Sequence, residues 1–271
     1  MTIDGFTLNG PPSPGTAALV MQAGNTGELI QNNIINNPGR AASITTSRTT
    51  FRKNAIRNTS TASDGFQTNS LPVQDVTITG NSFSGPVPAN YNADITFIEG
   101  NQNLTVSGNK STAGGTLVAI FKTNGARISD NTVVGNGGSS AVYIGGGNKN
   151  ISVTGNTITS SGSAVNVAND FGIGTNSRVT ITRNALRNNQ NGVKVGSASD
   201  VVQVNRNSIT GNSATGVLKS PTSGAPVDAT CNWWGAISGP GPVGPGRGDK
   251  VSTGVAYRPW LKLPRLTVGC R

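Results

Sequence analysis

The sequence predicts an all-β solenoid: a single-stranded, right-handed parallel β-helix of about ten rungs with a Trp/Pro-rich C-terminal cap. Three observations carry this. A frame of the form apolar-x-x-Asn-x-apolar recurs along the 271 residues at a mean spacing of roughly 25. Each interval holds a further short apolar run, and Gly, Asn and Ser fill the spaces between, which is the chemistry of turns. No stretch keeps a helical period. The hexapeptide period of left-handed solenoids is also absent, so right-handed winding is expected.

The copies follow in order. The first runs from Ile3 to Leu8, with Phe6 in the Asn slot. Then come Ile30-Asn33-Ile35, Phe51-Asn54-Ile56, Ile78-Asn81-Phe83 and Val106-Asn109-Ser111. Ile128-Asn131-Val133, Val153-Asn156-Ile158, Ile181-Asn184-Leu186 and Val204-Asn207-Ile209 continue the series. Asn232 with Trp234 ends it. The second runs include Val118-Ala119-Ile120, Val142-Tyr143-Ile144, Val165-Asn166-Val167 and Val193-Lys194-Val195. One rung cannot bury its apolar face alone, whereas stacked rungs share a continuous core. Ten rungs at ~4.8 Å make a rod of roughly 48 Å. Asn accounts for 32 residues. Its recurrence has a structural reason: it tolerates the left-handed backbone of a tight bend, and its amide can bond its copies above and below as a ladder. Residues 1–230 are read as rungs, and 231–271 as the last rung and cap of the same domain.

Composition narrows the function. There is no His, which removes Ser-His-Asp and Cys-His triads and His-ligated zinc. Lys and Arg number 21 against 11 acidic residues, a net charge of +10. That balance points to an anionic partner such as an acidic polysaccharide. The bases are scattered, with no aromatic stripe among them, which argues against nucleic acid. No apolar run approaches the ~18 residues of a membrane span. The first residues lack the features of a signal peptide, so the chain is cytosolic or the trimmed piece of an exported protein. It starts inside a strand, and an open β-helix end is an exposed edge, so either an upstream domain covered it or the chain associates with itself through that N-terminal edge.

Chemistry has few candidate places. The outward columns of the first strands carry paired hydroxyls, Thr77/Thr79, Thr105/Ser107, Ser152/Thr154 and Thr180/Thr182, interrupted by Arg127. These form a solvated sheet face, or an array suited to ice or crystalline polysaccharide. The second strands present Gln67, Thr96, Ala119, Tyr143, Asn166 and Lys194 outward. Asp94, Glu99, Lys122 and Arg127, with Asp130 nearby, are the best carboxylate and base cluster and hence the catalytic candidates. Arg183 and Arg206 precede the ladder Asn on successive rungs and stack on one corner, with Arg187 and Lys194 beyond. With Tyr143 these are the binding candidates, an anion-binding ridge set against a solvated corner. No metal site is read. Trp233, Trp234, Tyr257 and Trp260 gather with Pro240, Pro242, Pro245, Pro259 and Pro264 as an end cap. A sugar-stacking platform is the alternative.

The repeats resemble those of the pectate-lyase-like superfamily of right-handed parallel β-helices. The segment from Cys231 to Leu261, with its NWWG, Gly-Pro loop and PWL, is similar to the terminal motif of β-helix domains in secreted and cell-surface proteins. The resemblance implies a secreted or cell-surface location. Activity follows less well, because the superfamily mixes lyases, hydrolases, epimerases and proteins without known catalysis. It implies a substrate groove along the outward face of the second strands, and calcium only if the chain is a lyase on an acidic glycan. In an exported protein the single pair Cys231 and Cys270 implies a disulfide pinning the tail, with two free thiols as the alternative. The expected function is a non-catalytic extracellular or cell-surface domain serving as scaffold, adhesin or self-assembling unit. A carbohydrate-active lyase and an ice- or polysaccharide-binding module are the alternatives.

Overall fold

The computed structural model describes the chain apart from residues 12, 14, 15, 38, 62, 63, 69, 70, 87–92, 198, 199, 222, 223, 267–269 and 271. The strands stack into three parallel sheets of 11, 9 and 11 strands. Each turn of the solenoid adds one strand to each sheet, as with Thr77–Thr79, Ser82–Ser84 and Ala93–Phe97. The recurring frame therefore straddles a corner. Ile78 belongs to the first sheet and Phe83 to the second, with the ladder Asn81 at the bend between them. The second apolar runs of the sequence form the third sheet.

Stacking puts like residues in register. Phe51, Ile78, Val106, Ile128, Val153, Ile181 and Val204 form one inward column of the first sheet. All are buried, and they meet inward columns from the other two sheets in a single core. Phe51, Phe66 and Phe83 pack there with ring centroids 4.5 and 5.6 Å apart. Such aromatic contacts add to the gain from area burial.

The corner between the first two sheets differs from the sequence expectation in one respect. The left-handed residue is the one before the ladder Asn, not the Asn itself. Asn32, Lys53, Gly80, Gly108, Asp130, Gly155, Arg183, Arg206 and Cys231 all hold φ between 54° and 70°. Their left-handed turn aims the next side chain into the bend, where the ladder forms. The Asn81 backbone N–H and its Nδ2 both donate to Asn109 Oδ1, at 2.9 and 3.0 Å. Nδ2 also donates to the Phe51 carbonyl at 3.0 Å. The chain of such bonds runs unbroken from Asn33 through Asn54, Asn81, Asn109, Asn131, Asn156, Asn184 and Asn207 to Asn232. Phe6, in the Asn slot of the first rung, donates its backbone N–H to Asn33 Oδ1 at 2.9 Å.

Two shorter ladders occupy other corners. One runs Asn148, Asn176, Asp200, and the other Asn189, Asn212, Asp249. Each ends on an aspartate, because the last member only has to accept. Burial raises the Asp200 and Asp249 carboxyls, opposed by the hydrogen bonds they accept from Asn176 and Asn212.

At the C-terminal end Gly248–Val251 and then Pro240–Pro242 extend the third sheet, and Val255–Ala256 extends the first. Proline suits an outermost strand, where no ladder N–H is required. Trp234 is fully buried in the core. Trp260 packs so closely on Gly239 that a Cβ there would lie 2.5 Å from its ring. The two residues of the expected disulfide, Cys231 and Cys270, stand here as free thiols. They are neighbours in hydrogen-bond contact, and joining them would require an oxidation.

Candidate functional site

The structure disperses the catalytic candidates. Asp94 points inward from Ala93–Phe97, opposite Gly65 and Leu117. It is buried, and its Oδ2 accepts a hydrogen bond from Ser111 Oγ at 2.6 Å. Its Oδ1 has no partner. Desolvation pushes its carboxyl up to about 7, with the Ser111 hydrogen bond opposing. Glu99 and Lys122 do meet, in a half-exposed ion pair at 3.2 Å. Arg127 lies in the first sheet between Thr105 and Ser152, and Asp130 at the corner beyond it. The four candidates thus fall in the interior, at one corner and on a different face. The sequence placed them on neighbouring rungs correctly, but their phases on the strands separate them. Among the described residues no group of three or more His, Cys, Asp or Glu is placed to hold a metal.

The basic ridge is also divided. Arg183 and Arg206 stack at one corner and line a cleft of about 460 Å³ with Thr180, Thr182 and Asn205. Arg187 projects from the second sheet and Lys194 from the third, so these two join no common ridge. The hydroxyl columns of the first sheet are in register as expected. Thr79 and Ser107 bond each other at 3.0 Å, using part of that array internally.

The outer face of the third sheet has the most developed site. Gln67, Thr96, Ala119, Tyr143, Asn166 and Lys194 stand in one register column, as the sequence implied. Over it lies a cleft of about 300 Å³, lined by Gln67 and Thr96 together with Ile98, Phe121, Phe171 and Ile173. The loop after Ser163–Val167 reaches back over two rungs, which brings Phe171 to 6.1 Å from Phe121. Tyr143 lies 5.8 Å from Phe121 on the column itself. Phe171 is 62% exposed and has φ 65°. A bulky residue in that conformation is strained, and such strain persists where the surroundings impose it.

Polar groups complete the face. Gln67 Oε1 and Asn166 Oδ1 are buried acceptors without a hydrogen-bond partner. Asp64, also lining the cleft, is held by Arg40 at 3.3 Å. Burial raises its carboxyl and Arg40 opposes that. Glu99 and Lys122 directly follow the cleft residues Ile98 and Phe121, so their ion pair stands at the cleft's edge. The turn aromatics Phe121 and Phe171 were missed from sequence. The signal for Phe171 was an aromatic inside the Gly/Asn-rich run Asn169 to Gly174, where turn chemistry calls for none.

The terminal aromatics offer less free surface. Trp234 is buried, and Trp260 donates Nε1–H to the Ile237 carbonyl at 3.1 Å. Lys262 Nζ lies 4.2 Å from the Trp260 ring centroid, and Arg258 lies 5.4 Å from it.

No helix is long and apolar enough to cross a membrane among the described residues. Neither a curated protein nor a solved structure matches the chain. Residues 17–173, more than half of the sequence, match the family described as "Right handed beta helix region". With its three parallel sheets and its asparagine ladder, the chain belongs to that right-handed β-helix family.

Proposed function

We propose that the chain is a non-catalytic β-helix domain of a secreted or cell-surface protein, binding an acidic polysaccharide along the outer face of its third sheet in an adhesin-like role. The observation that carries this is the aromatic cleft set on a column with unpaired amide oxygens. Phe121, Phe171 and Tyr143 offer apolar ring surface to the C–H faces of sugars. Gln67 Oε1 and Asn166 Oδ1 are acceptors awaiting hydroxyl donors. The column repeats at about 4.8 Å, close to the length of one pyranose unit, so successive rungs can meet successive sugars. Lys194 on the same column and the net charge of +10 favour a uronate polymer over a neutral one. A rod stiffened by an unbroken ladder suits a scaffold that presents such a face.

Titration calorimetry with polygalacturonate and with a neutral glucan tests the reading. Polygalacturonate is expected to bind, more weakly as salt rises. Phe171→Ala should weaken it by about three- to tenfold, in line with the value of one aromatic contact. Absence of binding, or binding indifferent to both Phe171→Ala and Phe121→Ala, would refute the site. Growth of ultraviolet absorbance from unsaturated uronate, with calcium added, would replace the binding role with a lyase.

A further inference from the structure

The C-terminal end of the solenoid carries a surface that the proposed polysaccharide face does not use. Ile237, Val243 and Leu263 are each more than half exposed. Single exposed aliphatic residues are ordinary, but these three gather around two rings. Trp260 donates Nε1–H to the Ile237 carbonyl at 3.1 Å, and the Tyr257 hydroxyl reaches the Val243 carbonyl at 3.5 Å. The two rings lie 6.3 Å apart. Leu263 is the next residue after Lys262, whose Nζ stands 4.2 Å from the Trp260 ring centroid.

The same end is basic. Residues 229–266 hold Arg247, Lys250, Arg258, Lys262 and Arg265 against a single acid, Asp249. Asp249 is turned to its corner, where the carboxylate accepts from Gly211 and Asn212. Among the described residues the ion pairs are Arg40 with Asp64 and Glu99 with Lys122, so Arg258 and Lys262 meet no carboxylate. Both cations stand over the Trp260 ring and, with Pro259, line a cleft of about 410 Å³. That arrangement discriminates between partners. A sugar stacks on a free ring face, whereas here Gly239 packs on the Trp260 ring and two cations occupy the stacking position. An anionic bilayer asks for what is present: exposed aliphatic side chains to enter the acyl region, Trp and Tyr at the interface, and bases beside the phosphates.

We infer that this end of the solenoid docks on an anionic lipid surface, with Ile237, Val243 and Leu263 in the outer acyl region and Arg258 and Lys262 against the headgroup phosphates. Long basic side chains suit that boundary, because their stems lie along apolar surface while their charges stay in water. The attachment lies in the interface and does not span the bilayer. The cleft around Phe121 and Phe171 is several rungs away, so a lipid surface and a polymer do not compete for the same face.

The test is co-sedimentation of the full chain with phosphatidylcholine vesicles, with and without phosphatidylserine. Sedimentation is expected with phosphatidylserine only, and more weakly as salt rises. Arg258→Glu with Lys262→Glu should weaken it by about 30-fold. Ile237→Ser with Val243→Ser leaves the net charge unchanged and should weaken it by about tenfold. Lys110→Ala with Lys149→Ala, exposed bases on other rungs, should weaken it by less than about threefold. Urea midpoints close to the parent's show that each variant is folded. No sedimentation with phosphatidylserine would overturn the inference. So would binding that the Ile237 and Val243 substitutions leave unchanged, or that the Lys110 and Lys149 pair weakens as much as the Arg258 and Lys262 pair, since net charge alone would then suffice. Parent dimers in light scattering that Ile237→Ser with Val243→Ser abolishes would assign the patch to a second copy of the chain instead.

Discussion

Asp94 is a carboxylic acid sealed inside an apolar solenoid, and replacing it with asparagine separates the cost of its charge from the cost of its shape. Its folded carboxyl sits at about 7, against an ordinary 3.8. Below the lower value the group is neutral folded and unfolded, and it imposes no charge penalty. Between the two the unfolded chain releases the proton while the folded chain keeps it, so stability falls as pH rises. Above the upper value the folded group ionises as well, and the full penalty of about 4 kcal/mol stays constant, since each tenfold loss of acidity is worth ~1.36 kcal/mol. Asp94→Asn removes that titration. It leaves an amide N–H where Oδ1 has no partner, at a cost of about 1–3 kcal/mol. The variant should therefore be more stable than the parent by about 1–3 kcal/mol near pH 8, and less stable by a similar amount near pH 4. Urea midpoints across that range, measured for both proteins, give the difference directly. Asp64, Asp200 and Asp249 titrate in both chains and cancel from it. A parent-minus-variant difference that does not change with pH would show that the buried carboxyl is not the origin of the effect.

Two further substitutions test the corner. Asn131 accepts both N–H groups of Asn109 and donates to the Val106 carbonyl and to Asn156. Asn131→Ala orphans several buried partners at once, so a loss of about 3–6 kcal/mol is expected by denaturant titration. A loss below about 1 kcal/mol would mean that the ladder is ornamental. Arg206→Gly relieves a left-handed conformation that glycine adopts freely, and should raise stability by about 1 kcal/mol with the fold unchanged by circular dichroism. A destabilised variant would mean that the Arg206 side chain contributes more than its backbone costs.

The winding of the chain was legible because a solenoid repeats one local problem. Every rung must turn from the first sheet to the second within two residues, and the solution is written each time as a left-handed residue followed by Asn. Which of the two bends was harder to see. Asn is itself at home in the left-handed region, whereas Gly80, Gly108 and Gly155 beside Arg183 and Arg206 show that the preceding position carries the bend. The second sheet was hidden for a related reason. Its strands are short, so Phe83 and Ile158 read as the tail of a motif and not as members of a sheet. The two minor ladders escaped because Thr123 and Ser161 donate their backbone N–H groups into the first Asn of each and an aspartate ends each, and a mixed column leaves no single letter to count.

The functional face was half legible for a physical reason that separates columns from loops. Strand positions inherit their direction from the register, so the outward run from Gln67 to Lys194 could be drawn from period two alone. Asp94 broke that logic in a telling way. It occupies an inward position, in a column otherwise held by small or apolar residues such as Ala141, Ala164 and Gly192. Period two puts Asp94 on the same face as Thr96, two residues on, so it was counted toward a surface cluster, whereas the start of the strand turns it into the core. Loop residues inherit no direction. Phe171 reaches Phe121 only because the loop after Ser163–Val167 folds back along the rod, a path that no local rule specifies. Under the proposed function, that asymmetry says where binding specificity would reside. The stacked column supplies a regular track that many polymers could follow, whereas Phe121, Phe171 and Ile173 narrow it at one place. Substitutions in the column should therefore change affinity for all uronate chains alike, while substitutions in the loop should change which chains are accepted.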